Sequence, residues 1–189
     1  MTLIVSASLA LGGLTTASAT VVKPLEVAEL AAQSVHVIRG YVAAQYAVPE
    51  RGPRGEIYTR TDIRVVEYLL GDGPREITVQ QLGGQLGELR MTLSGNARLE
   101  PGTEVLAFLD YDPERRLHFV VGLAQGVFEI DRTGPAATVH RHLDGLSFYV
   151  VGARPSPQLD QGRLLGEVTA ILRPAEPALE GSHDEGGVR

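Results

Sequence analysis

A long alternating stretch between residues 57 and 70 carries the strongest structural signal in the chain. Its apolar and β-branched positions fall on one side of an extended strand: Ile57, Thr59, Thr61, Ile63 and Val65. The intervening positions fall on the other side: Tyr58, Arg60, Asp62 and Arg64. Successive strand side chains point to opposite faces, so this pattern predicts a strand with one buried face.

After Val65 the apolar series slips by one residue and continues through Val66, Tyr68 and Leu70. The slip predicts a β-bulge, a device that bends strands around a barrel.

A turn and a second apolar stretch extend this barrel pattern. Glycines and a proline at 71–74 predict a turn, and Ile77 and Val79 then alternate with polar residues in a return strand. Residues 105–109 are apolar on both faces. That run predicts a strand with the barrel interior on one side, where we expect Phe108, and a helix on the other. The fold class predicted is therefore mainly β, a five-stranded barrel flanked by helices.

The remaining segments predict short elements around the barrel. Upstream of residue 57 we expect a helix over 24–33 and a strand over 35–44. Downstream of residue 82 we expect a turn at 83–87, a short strand through Leu89 and Met91, a small extra hairpin from 126–131 and 137–142, and a strand over 147–151. Ser156 and Pro157 predict the start of a C-terminal helix. Its apolar face would contain Leu164, Leu165, Val168, Ile171 and Leu172, with Arg163 and Glu167 paired on the outside.

The N-terminal segment predicts export. Residues 3–14 form an uncharged apolar run, and Ala17, Ser18 and Ala19 follow as a small-residue cleavage pattern. No Lys or Arg precedes the run, and an uncleaved anchor over 3–22 is the alternative. We expect residues 1–19 to be a signal peptide, 20–173 the barrel domain and 174–189 a disordered acidic tail. The mature protein is expected in the periplasm or outside the cell, without stable membrane insertion.

Composition narrows the classes of function. The formal net charge is −6, which argues against a nucleic-acid partner because such proteins usually carry a basic footprint. The chain has no cysteine, which excludes disulfides, thiolate metal ligands and a cysteine nucleophile.

The order of elements resembles a five-stranded OB-type barrel, and more narrowly the netrin-like module of tissue inhibitors of metalloproteases. The residues that carry the likeness lie at 34–40 and 63–77. Together with 102–109 and 122–128, they also resemble an uncharacterised group of secreted bacterial proteins. The resemblance implies a secreted binding module. The inhibitors chelate a protease's zinc through an N-terminal cysteine, whereas this chain would begin at Thr20 and has none. No inhibitory residue can therefore be carried over.

Two segments are candidate metal sites: one contains two histidines, and the other is acidic. His140 and His142, two residues apart, would share a face of a strand, and Asp144 lies near enough to join them as ligands. The alternative is a hairpin strand whose polar side chains face water. Acidic residues also alternate at Asp110, Asp112 and Glu114, but Pro113 interrupts them. A calcium loop needs more ligands and a glycine bend, so this pattern favours a hairpin turn.

An aromatic and basic surface is the other candidate site. Tyr58, Arg60 and Arg64 lie on the supposed outer face of the long strand, with Arg51 and Arg54 in the loop before it. OB-type barrels often bind ligands there, and a protein, peptide or glycan fits this chain better than nucleic acid. The alternative is a solvated barrel face, on which these residues contact water and bind no ligand.

These observations together predict an exported, non-enzymatic binding module without a cofactor, whose partner is another secreted or envelope protein. A small metal-dependent hydrolase centred on His140 and His142 is the alternative from another class. A structural envelope component is the third possibility.

Overall fold

The computed structural model describes residues 19–49, 55–149 and 162–172. The strands are β1 (Thr20–Val22), β2 (His36–Pro49), β3 (Ile57–Leu70), β4 (Glu76–Leu82), β5 (Gly84–Leu86), β6 (Leu89–Met91), β7 (Glu104–Asp112), β8 (Leu117–Val120), β9 (Val127–Asp131), β10 (Thr138–His140), β11 (Leu146–Phe148) and β12 (Arg163–Leu164). The helices are α1 (Val27–Ala32) and α2 (Leu165–Leu172), with a 3₁₀ turn at Leu123–Gly126. The predicted signal peptide apart from Ala19, the acidic tail, the helix start at Ser156 and the arginines at 51 and 54 lie outside the described residues.

Five strands form a hydrogen-bonded ring, which confirms the predicted mainly-β class. β2 pairs antiparallel with β3 and β7, β3 with β4, and β7 with β8. A parallel contact between β4 and β8, at Val79 and His118, closes the ring. The sheet continues from β7 through β9, β10 and β12, so the predicted extra hairpin is confirmed as β9 and β10. Outside this sheet, β1 pairs parallel with β11. The predicted short strand through Leu89 and Met91 is β6, and it pairs with β5, which lies where a turn was predicted.

The central strand β7 separates two apolar cores, as its two-sided apolar run predicts. Val105, Ala107 and Leu109 point into the ring with Ile38, Ile63 and Val79. Leu106 and Phe108 point to the other side, where they pack with Val27 and Leu30 of α1 and Val168 of α2. Phe108 is fully buried, but it lies beneath the helices and not inside the ring. That part of the prediction is wrong, because the apolar run does not show which of its two faces the ring encloses.

The predicted bulge in β3 is confirmed. Arg39 pairs with Glu67 and the next residue, Gly40, pairs with Val65, so Val66 is left over. A second shift leaves out Leu69 on the same strand, and a third leaves out Ala43 on β2. Val66 and Leu70 are exposed, so they do not continue the buried face. Only Tyr68 packs against the core inside the ring, because each extra residue rotates the following side chains to the other face.

Both helices are shorter than predicted. α1 begins at Val27, and the Glu29 carboxylate accepts the backbone amide of Glu26 at 3.0 Å, which satisfies one free donor at the helix start. α2 begins at Leu165, since Arg163 and Leu164 pair with β10 as a strand. Arg163 therefore lies outside the helix, and the helical spacing that was predicted between Arg163 and Glu167 is not present. Leu164 and Ile171 are exposed, so of the predicted apolar face only Leu165, Val168 and Leu172 contact the core.

In the part of the chain that the structure describes, every helix is too short or too polar to cross a membrane.

Candidate functional site

The predicted aromatic and basic residues lie together on the outer face of β2, β3 and β4. Across β2 and β3, Tyr46 pairs with Arg60 and Tyr41 pairs with Arg64, and directly paired residues point to the same side of a sheet. Tyr58 lies on that side as well, two residues before Arg60. We call these five residues, Tyr41, Tyr46, Tyr58, Arg60 and Arg64, the tyrosine–arginine face. Tyr41 and Tyr46 expose 44% and 43% of their surface, a large fraction for residues in a well-formed sheet.

Hydrogen bonds hold several side chains of this face in place. Arg60 Nε donates to Gln80 Oε1 at 3.0 Å, and the Tyr58 hydroxyl donates to Glu56 Oε2 at 3.3 Å. Asp62, which the sequence places among the basic residues, accepts the Thr78 hydroxyl at 2.8 Å. An open depression of about 420 Å³ lies beside Tyr46, Asp62 and Arg64. The face therefore offers oriented aromatic and guanidinium groups around a shallow recess.

The hairpin histidines each contact a different neighbour. His142 Nε2 lies 2.9 Å from Glu129 Oε2, and His140 Nε2 lies 3.2 Å from the Thr138 hydroxyl. Both histidines line one open cavity of about 510 Å³, and Asp144 is outside its lining. Within residues 19–49, 55–149 and 162–172, no three His, Asp or Glu side chains are grouped so that they could hold a metal ion. The metal role of His140, His142 and Asp144 stays a prediction.

The acidic segment 110–114 spans the end of β7 and the start of the turn that leads to β8. Asp112 Oδ1 accepts the backbone amides of Glu114 at 2.9 Å and Arg115 at 3.1 Å. Asp110 Oδ1 accepts the amide of Tyr111 at 2.8 Å. These local bonds explain the acidic residues as turn formers.

A second histidine pair, which the sequence does not single out, lies at the end of the ring where β2 and β8 approach each other. His36 Nδ1 and His118 Nε2 are 3.2 Å apart. The ring of Tyr111 packs on His118 with centroids 4.7 Å apart, and the edge of Tyr68 packs against His36 at 5.6 Å. Gly71 passes so close that an added Cβ would lie 2.5 Å from His36 Cδ2. The pair is thus enclosed by two tyrosines and the β3–β4 turn.

Burial determines the charge of His118. Only 4% of the surface of His118 is exposed, and its Nδ1 is buried without a close hydrogen-bond partner among the described residues. Burial lowers the pKa of His118 to about 4, and the neighbouring His36 acts in the same direction, while the nearby backbone of Thr78 partly opposes the shift. His118 is therefore neutral at pH 7. An open cavity of about 480 Å³ adjoins the pair and is also lined by Asp72, Glu76 and Arg116.

Sequence separation explains why this pair escapes a motif search. His36 and His118 are 82 residues apart, and no local spacing links them. The available signal is weaker: each histidine occurs among apolar residues of a short β-prone stretch, where a polar side chain is unusual. β7 lies between β2 and β8 and pairs antiparallel with both, which brings the two histidines together.

No protein-family profile matches the chain, and a search of curated proteins finds no match either.

Proposed function

We propose that this chain is an exported binding module whose tyrosine–arginine face contacts another secreted or envelope protein. The exposure of two tyrosines beside two arginines on one rigid sheet is the observation that carries the proposal. Tyr and Arg are enriched in protein interfaces because they supply large contact areas and several hydrogen-bond donors at small conformational cost. A ring of five strands, closed by a parallel contact, supports the OB-type and netrin-like interpretation of the fold.

Charge favours a partner protein with exposed carboxylates. None of the ion pairs found among the described residues includes Arg60 or Arg64, and Arg60 is held by the neutral amide of Gln80. Both guanidiniums are therefore available for bidentate contacts with acidic groups. The net charge of −6 disfavours a second copy of the same chain as the partner, because like-charged molecules repel each other.

A site-specific crosslinking experiment tests this function. A photo-reactive amino acid replaces Tyr46 in one protein and Leu89 in another, because Leu89 is 69% exposed on the separate β5–β6 hairpin. Both proteins are expressed in the native host. We expect one discrete heterologous protein to be crosslinked from position 46 and not from position 89.

The crosslinked protein is then purified and its binding is measured directly. Tyr46→Ala combined with Arg64→Ala should weaken binding by at least about tenfold, since interface residues of this type often contribute more than 1 kcal/mol each. Leu89→Ala should bind as the wild type does. Equal binding by all three proteins, or crosslinking only between copies of this chain, would contradict the proposal.

A further inference from the structure

We propose that His36 and His118 form a two-nitrogen chelate for a divalent transition metal of the zinc, copper and nickel class. This site is separate from the hairpin histidines His140 and His142 and from the tyrosine–arginine face. Imidazole is a preferred ligand of these metals. The proposal starts from the fact that the two ring nitrogens face each other across 3.2 Å.

The spacing of the two nitrogens matches one shared ion. Zinc lies about 2.0–2.1 Å from each histidine nitrogen that binds it, so two nitrogens at this separation subtend an angle of about 100° at the metal. That angle is close to tetrahedral. The ring centroids are 5.2 Å apart with the planes inclined at 49°, so neither ring stacks over the other and blocks the position between the nitrogens.

The hydrogen bonding of the pair is also compatible with binding. A metal needs an imidazole nitrogen with a free lone pair. At this distance the two ring nitrogens share a hydrogen bond, with one nitrogen donating and the other accepting. When His36 is the donor, moving its proton from Nδ1 to Nε2 frees both facing nitrogens without changing the charge of either ring.

The surrounding residues fix the pair and leave it accessible. Tyr111 and Tyr68 hold the two rings in place, as hydrophobic and aromatic neighbours do around many metal ligands. The adjoining cavity of about 480 Å³ provides an entrance to the pair. It is lined by the negatively charged Asp72 and Glu76 and by the positively charged Arg116. No third protein ligand is in position among the described residues. Water, or a donor group brought by a partner, would complete the coordination, as in metal sites that keep an open position.

Zinc-dependent stabilisation tests the site in the mature protein. A ligand that binds only the folded state raises the melting temperature. We expect Zn²⁺ to raise it for the wild type and equally for the triple variant His140→Ala, His142→Ala, His183→Ala, which keeps only His36 and His118. His36→Gln should lose the rise. Persistence of the rise in His36→Gln, its loss in the triple variant, or its absence from the wild type would each overturn the proposal.

A spectroscopic measurement on the triple variant does not depend on whether His36→Gln folds. Loaded with Cu²⁺, this protein should show two coordinated imidazole nitrogens in its electron paramagnetic resonance spectrum, because it contains only those two histidines. One imidazole nitrogen or none would overturn the proposal. Neither experiment involves the tyrosine–arginine face, so the failure of this site and the failure of the proposed function can be distinguished.

Discussion

Glu104 is a buried charged residue that accepts hydrogen bonds from two arginines. It is 6% exposed at the start of β7, and its carboxylate accepts Arg132 Nε at 2.6 Å and Arg39 Nη1 at 2.9 Å. Hydrogen bonding to Arg132 lowers the pKa of Glu104, and the bond to Arg39 acts in the same direction against the opposing effect of burial. Arg39 also contacts Glu67. These bonds tie β7 to β2, β3 and the segment after β9.

We predict that Glu104→Gln destabilises the protein at pH 7 by about 1–3 kcal/mol, because charge-assisted hydrogen bonds to a buried carboxylate are lost. The pKa of Glu104 is lowered by folding, so its contribution is complete above the ordinary glutamate pKa of 4.5 and disappears as the pH falls through the folded-state value. Urea unfolding of wild type and variant at pH 7 and pH 3 measures this. The gap between the two stabilities should narrow from pH 7 to pH 3, and a gap independent of pH would contradict the assignment.

The sequence predicts whether a residue is buried more easily than it predicts on which side of the sheet that residue lies. The apolar run at 105–109 correctly indicates that Phe108 is buried, and Phe108 indeed packs against Phe128 with ring centroids 5.8 Å apart. Which core it joins depends on the direction in which the sheet closes. That direction is set by pairings between distant strands, which the alternation within one strand does not contain.

At the scale of elements, the β2–β3 pair shows what patterning can and cannot predict. β3 runs over Ile57–Leu70 as predicted, because its alternation is regular as far as Val65 and its ends are marked by glycine and proline. β2 was predicted to end at residue 44 but continues to Pro49. Its last residues do not alternate, and pairing with β3 keeps them extended. The start of α2 was placed too early for a related reason, since pairing with β10 holds Arg163 and Leu164 in a strand.

The bulge in this pair requires a glycine at position 40. An added Cβ on Gly40 would lie 2.6 Å from the carbonyl oxygen of Arg64 and 2.8 Å from Cγ2 of Ile63. We predict that Gly40→Ala destabilises the protein by about 1–3 kcal/mol, because the two strands must separate to make room. Gly166→Ala is the matched control, since nothing lies within 4 Å of its added Cβ and alanine favours helix α2. Denaturant melts compare the two, and an equal response would contradict a close strand approach at Gly40.

At the scale of the whole molecule, the contacts that decide the fold and the candidate site join distant parts of the chain. The ring closes through Val79 and His118, and the second histidine pair joins the two strands that flank β7. The tyrosine–arginine face could be predicted because Tyr58, Arg60 and Arg64 alternate within one strand. Tyr41 and Tyr46 join it through the register with β2, which includes a bulge at Ala43 that the sequence does not indicate. Sequence patterns therefore locate sites within one element better than sites shared between elements.

Thr20, the predicted first residue of the mature chain, is part of this long-range structure. Thr20 donates its backbone N–H to the carbonyl oxygen of Gly145 at 2.9 Å and its hydroxyl to that of Ser94 at 2.6 Å. β1 then continues in parallel beside β11. A chain cut after Ala19 would keep all these bonds, because the new ammonium group at Thr20 still carries hydrogens to donate.

We therefore predict that the native protein is exported and begins at Thr20. Amino-terminal sequencing of the protein from the periplasmic or secreted fraction measures the cleavage position directly. Replacing Ala17 and Ala19 with bulky residues should block processing and leave the apolar segment 3–14 attached, because cleavage sites of this type require small side chains. Thr20→Val is a control that removes the hydroxyl bond to Ser94 without altering the small residues before the cut. It should be processed normally. A cytosolic product that retains residues 3–14 would contradict export.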